Sequence, residues 1–462
     1  MQLFVRDKAF YRKLAAFALP VAAQQMITVG VNMADNVMLG QLGEVAMSGA
    51  TLANNFIMVF QIMCMGLGMG ASVLTSRFYG MQDSTGLKKT VILMFRLELI
   101  VASLFALTSA LLPGGVMRLY TPEDGVIRAG IGYLLISVPC FYMHGYALTA
   151  SLVLRSVGKG SVPLISSVCS FFINIFFNWV FIFGHLGAPA MGVNGAALGT
   201  LIARVVEFSV TMGYLLFKDS NISLRLCDLL MPVKDIAGQY VRISIPVLIS
   251  DTLLGLGNSA VSVVMGHIGA VFVAANAITS VTMQLATVVI QGISQASCSI
   301  TGITLGRGEI EKAQAQGITF AALGFAIGAV GCVIILAISS TVIGFYNITD
   351  ETRALAEQLM RAVAVVVLFQ SANSILTKGV LRGGGDTRFL MVADIMFLWC
   401  ASIPLGALSG LVWHWPGFWI LIALRIDQFI KAGWCLFRLK SGKWIKAVQR
   451  SGDTSSPVRN GS

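Results

Sequence analysis

The sequence predicts an all-α polytopic membrane protein of about twelve transmembrane helices, in two pseudo-symmetric six-helix lobes around a central cavity. Of the 462 residues, 56% are hydrophobic and 11% are charged, whereas soluble domains average about 25% charged residues. Apolar runs of about 20 residues, enough to cross a bilayer as helix, recur along the whole chain, and the second half repeats the first. Helices are expected because lipid offers no partner for an unpaired backbone group.

Twelve apolar segments satisfy the length that a membrane span requires. In the first half they are Leu14–Leu39, Ser48–Thr75, Thr90–Leu112, Ile127–Leu154, Val162–Phe183 and Gly192–Phe217. In the second half they are Ile236–Val264, Ala274–Ile300, Gly317–Phe345, Arg353–Leu381, Phe389–Leu411 and Gly417–Leu439. Several contain proline and many contain glycine, both of which are common in membrane helices.

An internal repeat organises these spans. The segment Pro20–Gly43 aligns without a gap to Pro246–Gly269, at an offset of 226 residues. Six spans separate the copies, so both begin on the same side of the membrane as parallel repeats. We therefore predict an N-terminal lobe (1–217), a cytoplasmic linker (218–240), a C-terminal lobe (241–440) and a disordered, basic cytoplasmic tail (441–462). Two such lobes are typical of a transporter whose central cavity opens alternately to each side.

The distribution of basic residues predicts the orientation. The formal net charge is +11, and most of the 32 Lys and Arg residues fall in segments on the same side as both chain ends. The positive-inside rule then places both termini in the cytoplasm of a cell with the protein in its inner membrane. The first apolar run is long enough to remain as an uncleaved span. The basic charge thus reflects topology, and no nucleic-acid partner is expected.

The motifs of enzymes and of ATP-driven pumps are missing from the sequence. No phosphate-binding GxxxxGK[ST] loop, HExxH or GxSxG motif occurs, and the four His residues are scattered. The eight Cys residues stand singly in mostly apolar runs, which favours buried thiols. We expect a protein that is not an enzyme and that has no cofactor.

Asp35 is the foremost candidate functional residue. It lies well inside the first span, one turn after Asn32, and no Lys or Arg is close in sequence. A charge at membrane depth costs about 2.5–3.5 kcal/mol on insertion scales, so it marks a functional site by default. The repeat equivalent is Val261, which assigns the carboxylate to the N-terminal lobe alone. A proton or Na⁺ site is one interpretation, and a cap for a helix break near Gly40 is the other.

Other charged residues within the spans divide into two groups. Asp251 and Asp394 are either hydrated acids near the membrane surface or functional groups. The remaining charges have a neighbour of opposite sign and are interpreted as structural: Arg204 with Glu207, Asp427 with Lys431, and Arg96 with Glu98. Spacings of three or four residues allow pairing within a helix, whereas Arg96 and Glu98, two apart, need partners on other helices.

Two stripes of side chains at helical spacing are candidates for cavity walls. Gln284, Gln291 and Gln295 share one face of the eighth span, and their repeat equivalents are Met58, Met65 and Met69 in the second span. Flexible methionine suits a binding surface for varied ligands. Helix packing, with glutamine bonding between helices, explains the stripes equally well. Asn32 and Asp251 complete the set of candidate substrate-cavity residues.

An ordered series of motifs resembles the multidrug and toxic compound extrusion (MATE) family of antiporters over nearly the whole chain. The matching stretches are Pro20–Gly43 with Asp35, Leu154–Gly158, Asn174–Asn178 leading into Phe181–Gly184, Gly192–Ala197 with Thr200, and Leu381–Thr387. Each motif is loose by itself, and the ordered set is specific.

The resemblance implies a two-lobed exporter of organic, mainly cationic or amphipathic compounds, driven by inward flow of H⁺ or Na⁺. Small-molecule drugs and the lipid bilayer would be its partners, and we expect a monomer. Carried over by position, the family's cation or proton site becomes Asp35, Asn174, Asn178 and Thr200. Many relatives have Asp where this chain has Asn178, so Asp35 is left as the evident acid. Beyond this possible Na⁺ no metal is expected, and the acidic C-lobe site of another branch has no counterpart around Phe369–Ser371.

Three alternatives remain open from the sequence. A lipid-linked saccharide flippase of the same superfamily would be expected to carry more basic residues in its cavity-lining spans. A membrane-embedded enzyme would need an acid–base pair or a metal cluster near the membrane surface. A non-transporting membrane scaffold would move no solute in a flux assay.

Overall fold

The computed structural model describes residues 4–346 and 348–450, which are almost entirely helical. Each of the twelve predicted spans coincides with one helix or with consecutive helical segments. The last part of the predicted basic tail, residues 451–462, lies outside the described residues.

The first half of the chain forms six spans joined by short connections. They are α1 (Lys8–Gly40), α2 (Glu44–Met81), α3 (Ser84–Leu111), α4 (Asp124–Ile136 and Val138–Ser156), α5 (Ser161–Phe183) and α6 (Val193–Gly213). The two parts of α4 meet at an angle of 57°, where Pro139 stands in the first turn of the second part. A short helix, Pro113–Arg118, precedes α4, and a π-helical turn, Tyr214–Lys218, extends α6.

The second half repeats this series. Its spans are α7 (Lys234–Ile268), α8 (Ala270–Gly306), α9 (Ile310–Gly344), α10 (Asp350–Ser374), α11 (Thr387–Val412) and α12 (Gly417–Leu424 and Ile426–Lys440). A π-helical segment, Ile375–Leu381, continues α10. One such turn, Leu398–Ser402, lies inside α11, and another, Leu408–Val412, ends it. Turns of this kind are rare and occur frequently at functional sites.

The length and composition of these helices suit a membrane. Within the described residues, ten helices are long and apolar enough to cross a bilayer, and the bent α4 makes an eleventh. The twelfth predicted span, α12, is divided at Arg425 into two shorter helices. The prediction of a polytopic all-α protein is thus confirmed.

The chain divides into two compact units. The N-terminal unit comprises Ala23–Leu248 with the segment from Gln449, and the C-terminal unit comprises the first helix up to Ala22 and Ile249–Val448. Both boundaries lie inside helices, shortly after Pro20 in α1 and Pro246 in α7. The lobe boundaries that we inferred from the sequence stay predictions.

The linker between the halves is fixed to α3 in the N-terminal unit. Arg96 donates to the backbone carbonyls of Leu229 and Met231 at 2.6 and 2.8 Å, and Lys88 and Lys89 pair with Asp228 and Asp235. Arg96 therefore does not pair with Glu98, because side chains two residues apart leave a helix in different directions. The partners of Arg96 lie outside its own helix, as the spacing required.

In the C-terminal unit, glycines allow α9 to approach α10 closely. A Cβ on Gly324 would lie 2.8 Å from Ala372 Cα, and one on Gly328 would lie 2.6 Å from the Leu368 carbonyl oxygen. Such contacts between small residues are the usual way in which membrane helices pack, since lipid gives no hydrophobic driving force. The buried core of this unit centres on α10.

The segment directly after α12 is ordered, which corrects the predicted disorder for residues 441–450. Trp444 is fully buried, and its indole N–H donates to Gln314 Oε1 at 2.8 Å. The backbone N–H of Lys446 donates to the Gly384 carbonyl at 2.9 Å. The prediction failed because it considered only the polar composition of this stretch, whereas one buried tryptophan provides enough apolar contact to hold it.

Candidate cation-binding site

Asp35 is the acidic member of a hydrogen-bonded network inside the N-terminal unit. Asn178 Nδ2 on α5 donates to Asp35 Oδ1 at 2.7 Å and to Asn174 Oδ1 at 3.2 Å. Asn174 Nδ2 in turn donates to Thr200 Oγ1 on α6 at 3.4 Å. Helices α1, α5 and α6 therefore bring together the four residues that the sequence resemblance selected.

Helix geometry explains the order of this network. Asn174 and Asn178 are four residues apart, so their side chains lie on the same face of α5. Both are buried, with exposed fractions of 2% and 1%, while Asp35 is partly buried. Buried amides need hydrogen-bond partners, and each finds one in the other or in the neighbouring helix.

Two glycines on α6 let α5 approach closely enough for these contacts. A Cβ on Gly199 would lie 2.2 Å from Asn178 Oδ1 and 2.9 Å from the Asn178 backbone nitrogen. A Cβ on Gly195, one turn earlier, would lie 2.4 Å from the Phe181 carbonyl oxygen. The spacing is that of the GxxxG motif of packed membrane helices. Gly199 thus fixes the position of the Asn178 amide.

Tyr133 is a polar residue beside this network that sequence reasoning missed. It lies at the end of the first part of α4, close to Thr200, and its hydroxyl donates to Asn54 Oδ1 on α2 at 3.2 Å. Tyr133 is buried, with an exposed fraction of 4%. A polar atom within an apolar span was the available signal, but the sequence analysis selected charged residues and the stripes of Gln and Met, and it passed over Tyr133 and Asn54.

A charged pair stands one turn beyond Thr200 on α6. Arg204 donates to Glu207 Oε2 at 2.6 Å, as the spacing of three residues predicted. His144 Nδ1 on α4 lies 3.9 Å from the same carboxylate oxygen. Arg204 is near enough to Asp35 to interact through its charge, but its direct ion pair is with Glu207. Among the described residues, Asp35 forms no salt bridge.

The donor set of the network suits a proton or a small hard cation. It offers a carboxylate, two amide oxygens and a hydroxyl oxygen, which are the ligands that hard cations prefer. Asn178 Oδ1 is buried and has no hydrogen-bond partner within residues 4–346 and 348–450. Rotation of the Asn178 amide would exchange its N and O, so the same side chain can face a carboxylate, a protonated acid or a bound cation.

The predicted cavity residues differ in their exposure. Asn32 and Gln284 are exposed, Met58 and Met65 are 58% and 43% exposed, and Met69 is buried. Gln291 and Gln295 are partly buried. The stripe on α2 therefore runs from exposed to buried positions, and the stripe on α8 runs from exposed to partly buried positions. Their role in substrate binding stays a prediction.

The two undecided acids of the C-terminal unit are ion-paired. Asp251 Oδ1 lies 3.1 Å from Arg382. Asp394 accepts from Ser250 at 2.5 Å and from Lys431 at 3.0 Å, and the same ammonium group lies 3.1 Å from Asp427, the pair expected from sequence. Lys431 is only 2% exposed. Asp251 is thus already paired with Arg382, and its role in a substrate cavity stays a prediction.

The fold is that of solved membrane transporters. It matches the outward-facing conformation of a multidrug resistance MATE family transporter of the MOP superfamily with a TM-score of 0.84 and 19% identity, over 93% of this chain and 96% of the other. A MATE crystal structure in the straight conformation also gives a TM-score of 0.84 over the same shares. The chain therefore has the twelve-helix, two-lobed fold of these membrane proteins.

The chain belongs to the MatE family, whose sequence model matches it twice, at residues 20–180 and 236–408. It is similar to the probable multidrug resistance protein NorM of Agrobacterium fabrum, strain C58, with 25% identity over 87% of this chain and 89% of the relative. The probable NorM of Thermotoga maritima is 26% identical over 94% and 93%. The multidrug resistance protein MdtK of Yersinia pseudotuberculosis, serotype O:1b, is 24% identical over 92% and 95%.

Proposed function

We propose that this transporter is a secondary active multidrug efflux antiporter. It exports organic, mainly cationic or amphipathic compounds in exchange for H⁺ or Na⁺, and Asp35, Asn174, Asn178 and Thr200 form the site of the coupling ion. Full-length similarity to proteins named for multidrug resistance supports the substrate class.

The observation that carries the proposal is the network around Asp35. A carboxylate within a membrane helix is retained at a cost, and this one has neutral oxygen-bearing neighbours in place of a basic partner. A carboxylate in such surroundings gains most from a proton or cation that arrives from solution. After rotation of its amide, Asn178 would turn the unpartnered Oδ1 towards Asp35 as a second ligand.

Coupling follows if the ion and the drug favour different conformations. Binding of the ion at Asp35 stabilises the arrangement of α1, α5 and α6 in which drug is released outside the cell. Drug arriving from inside stabilises the arrangement that releases the ion inward. A ligand shifts such an equilibrium only by its difference in affinity for the two states, and the effect is reciprocal.

The direct test is dye efflux from proteoliposomes with a Na⁺ gradient or a pH gradient imposed separately. Wild type is expected to move a fluorescent cationic dye with one of the two gradients, and Asp35→Asn is expected to abolish that gradient-driven flux. Glu357→Gln is the matched control, since it removes an exposed acid whose pair with Arg361 spans 4.0 Å.

Three other results would each change the proposal. Full ion-driven efflux in a stably folded Asp35→Asn protein would contradict the role of the site. Movement of a lipid-linked saccharide without dye transport would favour a flippase. No gradient-dependent movement of any solute would favour a scaffold.

We further propose that the protein is a monomer in the inner membrane with both termini in the cytoplasm. The distribution of Lys and Arg supports this orientation. Cys227, in the linker, is exposed, so a membrane-impermeant maleimide should label it in inside-out vesicles and not in intact cells. Labelling in intact cells would reverse the orientation.

A further inference from the structure

Glu98 is a second carboxyl group at membrane depth, outside the network of Asp35. It lies near the middle of α3, and its exposed fraction is 0%. Cys64 Sγ on α2 donates to Glu98 Oε1 at 3.2 Å. Among the described residues, Glu98 Oε2 has no hydrogen-bond partner.

The surroundings of Glu98 are apolar or neutral on each helix packed against α3. Cys64 and Phe60 face it from α2, and Gly145 lies beneath it on α4, where a Cβ would be 2.0 Å from Glu98 Oε1. The titratable groups near it are Tyr146 on α4 and Tyr240 on α7.

Neither phenol can neutralise the carboxyl group. The hydroxyl of Tyr146 donates to the Phe95 carbonyl at 3.4 Å, and that of Tyr240 donates to the Leu67 carbonyl at 2.8 Å. Arg96, on the same helix, is held by the carbonyls of the linker. No Lys, Arg or His within residues 4–346 and 348–450 pairs with Glu98.

These contacts suit the protonated form of Glu98. An ionised carboxylate buried without a cation costs far more than a neutral polar group, and a thiol is only a weak donor. One thiol contact cannot replace the hydration of a charge. The described conformation therefore holds Glu98 as a neutral acid.

The other repeat shows that the fold does not need an acid here. At the offset of 226 residues, the equivalent of Glu98 is Gly324 on α9. Gly324 packs directly on Ala372 of α10, with only 2.8 Å from an added Cβ to Ala372 Cα. In the N-terminal unit, Glu98 fills the corresponding space between α3 and α4, where Gly145 has no side chain to occupy it. Helix packing alone is satisfied by two small residues, so it does not account for a carboxyl group.

We propose that Glu98 is a second proton-binding site of the N-terminal unit, loaded in the described conformation and released to water in another conformation of the transport cycle. This inference rests on the proposed antiport and holds whether Asp35 binds H⁺ or Na⁺. Release requires water to reach the carboxyl group when α2 and α4 separate, and the proton then passes from Glu98 to that water. The transporter exchanges one proton more than the site at Asp35 provides.

The test is the pH dependence of dye binding to the purified full-length protein. The slope of log Kd against pH counts the protons released when dye binds. In Glu98→Gln we expect the slope to fall by about one proton relative to wild type. The control is Glu357→Gln, which removes an exposed acid outside the site and should keep the slope of wild type. Thermal unfolding in detergent shows whether each variant is folded.

A second variant keeps the test decisive if Glu98→Gln does not fold. Asp35→Asn should retain a slope of about one, contributed by Glu98. A folded Glu98→Gln with the slope of wild type, or a slope of zero in Asp35→Asn, overturns the inference. These results differ from failure of the proposed function, in which wild type itself shows no gradient-driven dye flux.

Discussion

Gly199→Ala tests how strongly the geometry of the Asp35 network depends on close helix packing. The new Cβ would lie 2.2 Å from Asn178 Oδ1 and 2.9 Å from the Asn178 backbone nitrogen. Both distances are too short for a carbon atom, so Asn178 must move. Its 2.7 Å hydrogen bond to Asp35 would then lengthen or break.

The size of the effect follows from that hydrogen bond. A hydrogen bond to a charged group contributes about 1.5–3 kcal/mol. This bond stabilises the ion-free carboxylate of Asp35, so its loss favours the ion-bound form. We therefore expect the concentration of coupling ion that gives half-maximal dye efflux to fall by about ten- to a hundredfold. Dye binding in the absence of an ion gradient should change much less, since the substitution acts on the ion site.

Gly213→Ala is the matched control for this experiment. Gly213 is on the same helix, and an added Cβ there would meet no atom within 4 Å. The control should behave as wild type in both proteoliposome efflux and thermal unfolding. An unchanged half-maximal ion concentration in a folded Gly199→Ala protein would refute the idea that packing at Gly199 positions Asn178 for ion binding.

Two further predictions concern stability. Lys431→Met should lower the free energy of unfolding in detergent by about 3–5 kcal/mol, because it leaves the buried carboxylates of Asp394 and Asp427 without their cation. An unchanged free energy of unfolding would show that these two ion pairs do not stabilise the protein. In the linker, the hydrogen bond from the Arg225 backbone lowers the pKa of Asp228, with a further contribution from Lys88. This contribution is present above the unfolded value of about 3.9 and is lost as pH falls through the lower folded value. Hydrogen exchange of the linker amides should therefore report the same docking strength from pH 5 to 8 and weaker docking only in strong acid, and the variant Asp228→Asn should remove that acid transition.

The sequence was sufficient for the fold because each span is a local property of about 20 residues. The candidate site was harder, since Asp35 and Asn178 are 143 residues apart and no periodicity relates α1 to α5. Only the family resemblance selected them together. Spacing within one helix correctly paired Arg204 with Glu207. It could not show that Asp251 pairs with Arg382, since that contact depends on how α7 and α10 pack.

The two units have equivalent helices, but they differ in whether the acids within those helices have a basic partner. In the C-terminal unit, Asp251, Asp394 and Asp427 each have a Lys or Arg partner. In the N-terminal unit, Asp35 and Glu98 form no salt bridge among the described residues, and their repeat equivalents are an apolar residue and a glycine.

This difference supports the proposed location of ion exchange in the N-terminal unit. Breaking a buried ion pair leaves an uncompensated charge and costs about 3–5 kcal/mol, so paired acids resist losing or gaining a proton during a conformational change. An acid among neutral groups has no such partner to lose. The two repeats therefore provide equivalent scaffolds, and within residues 4–346 and 348–450 only the N-terminal copy has carboxyl groups at membrane depth without a basic partner, which is the property that the proposed uptake and release of a coupling ion requires.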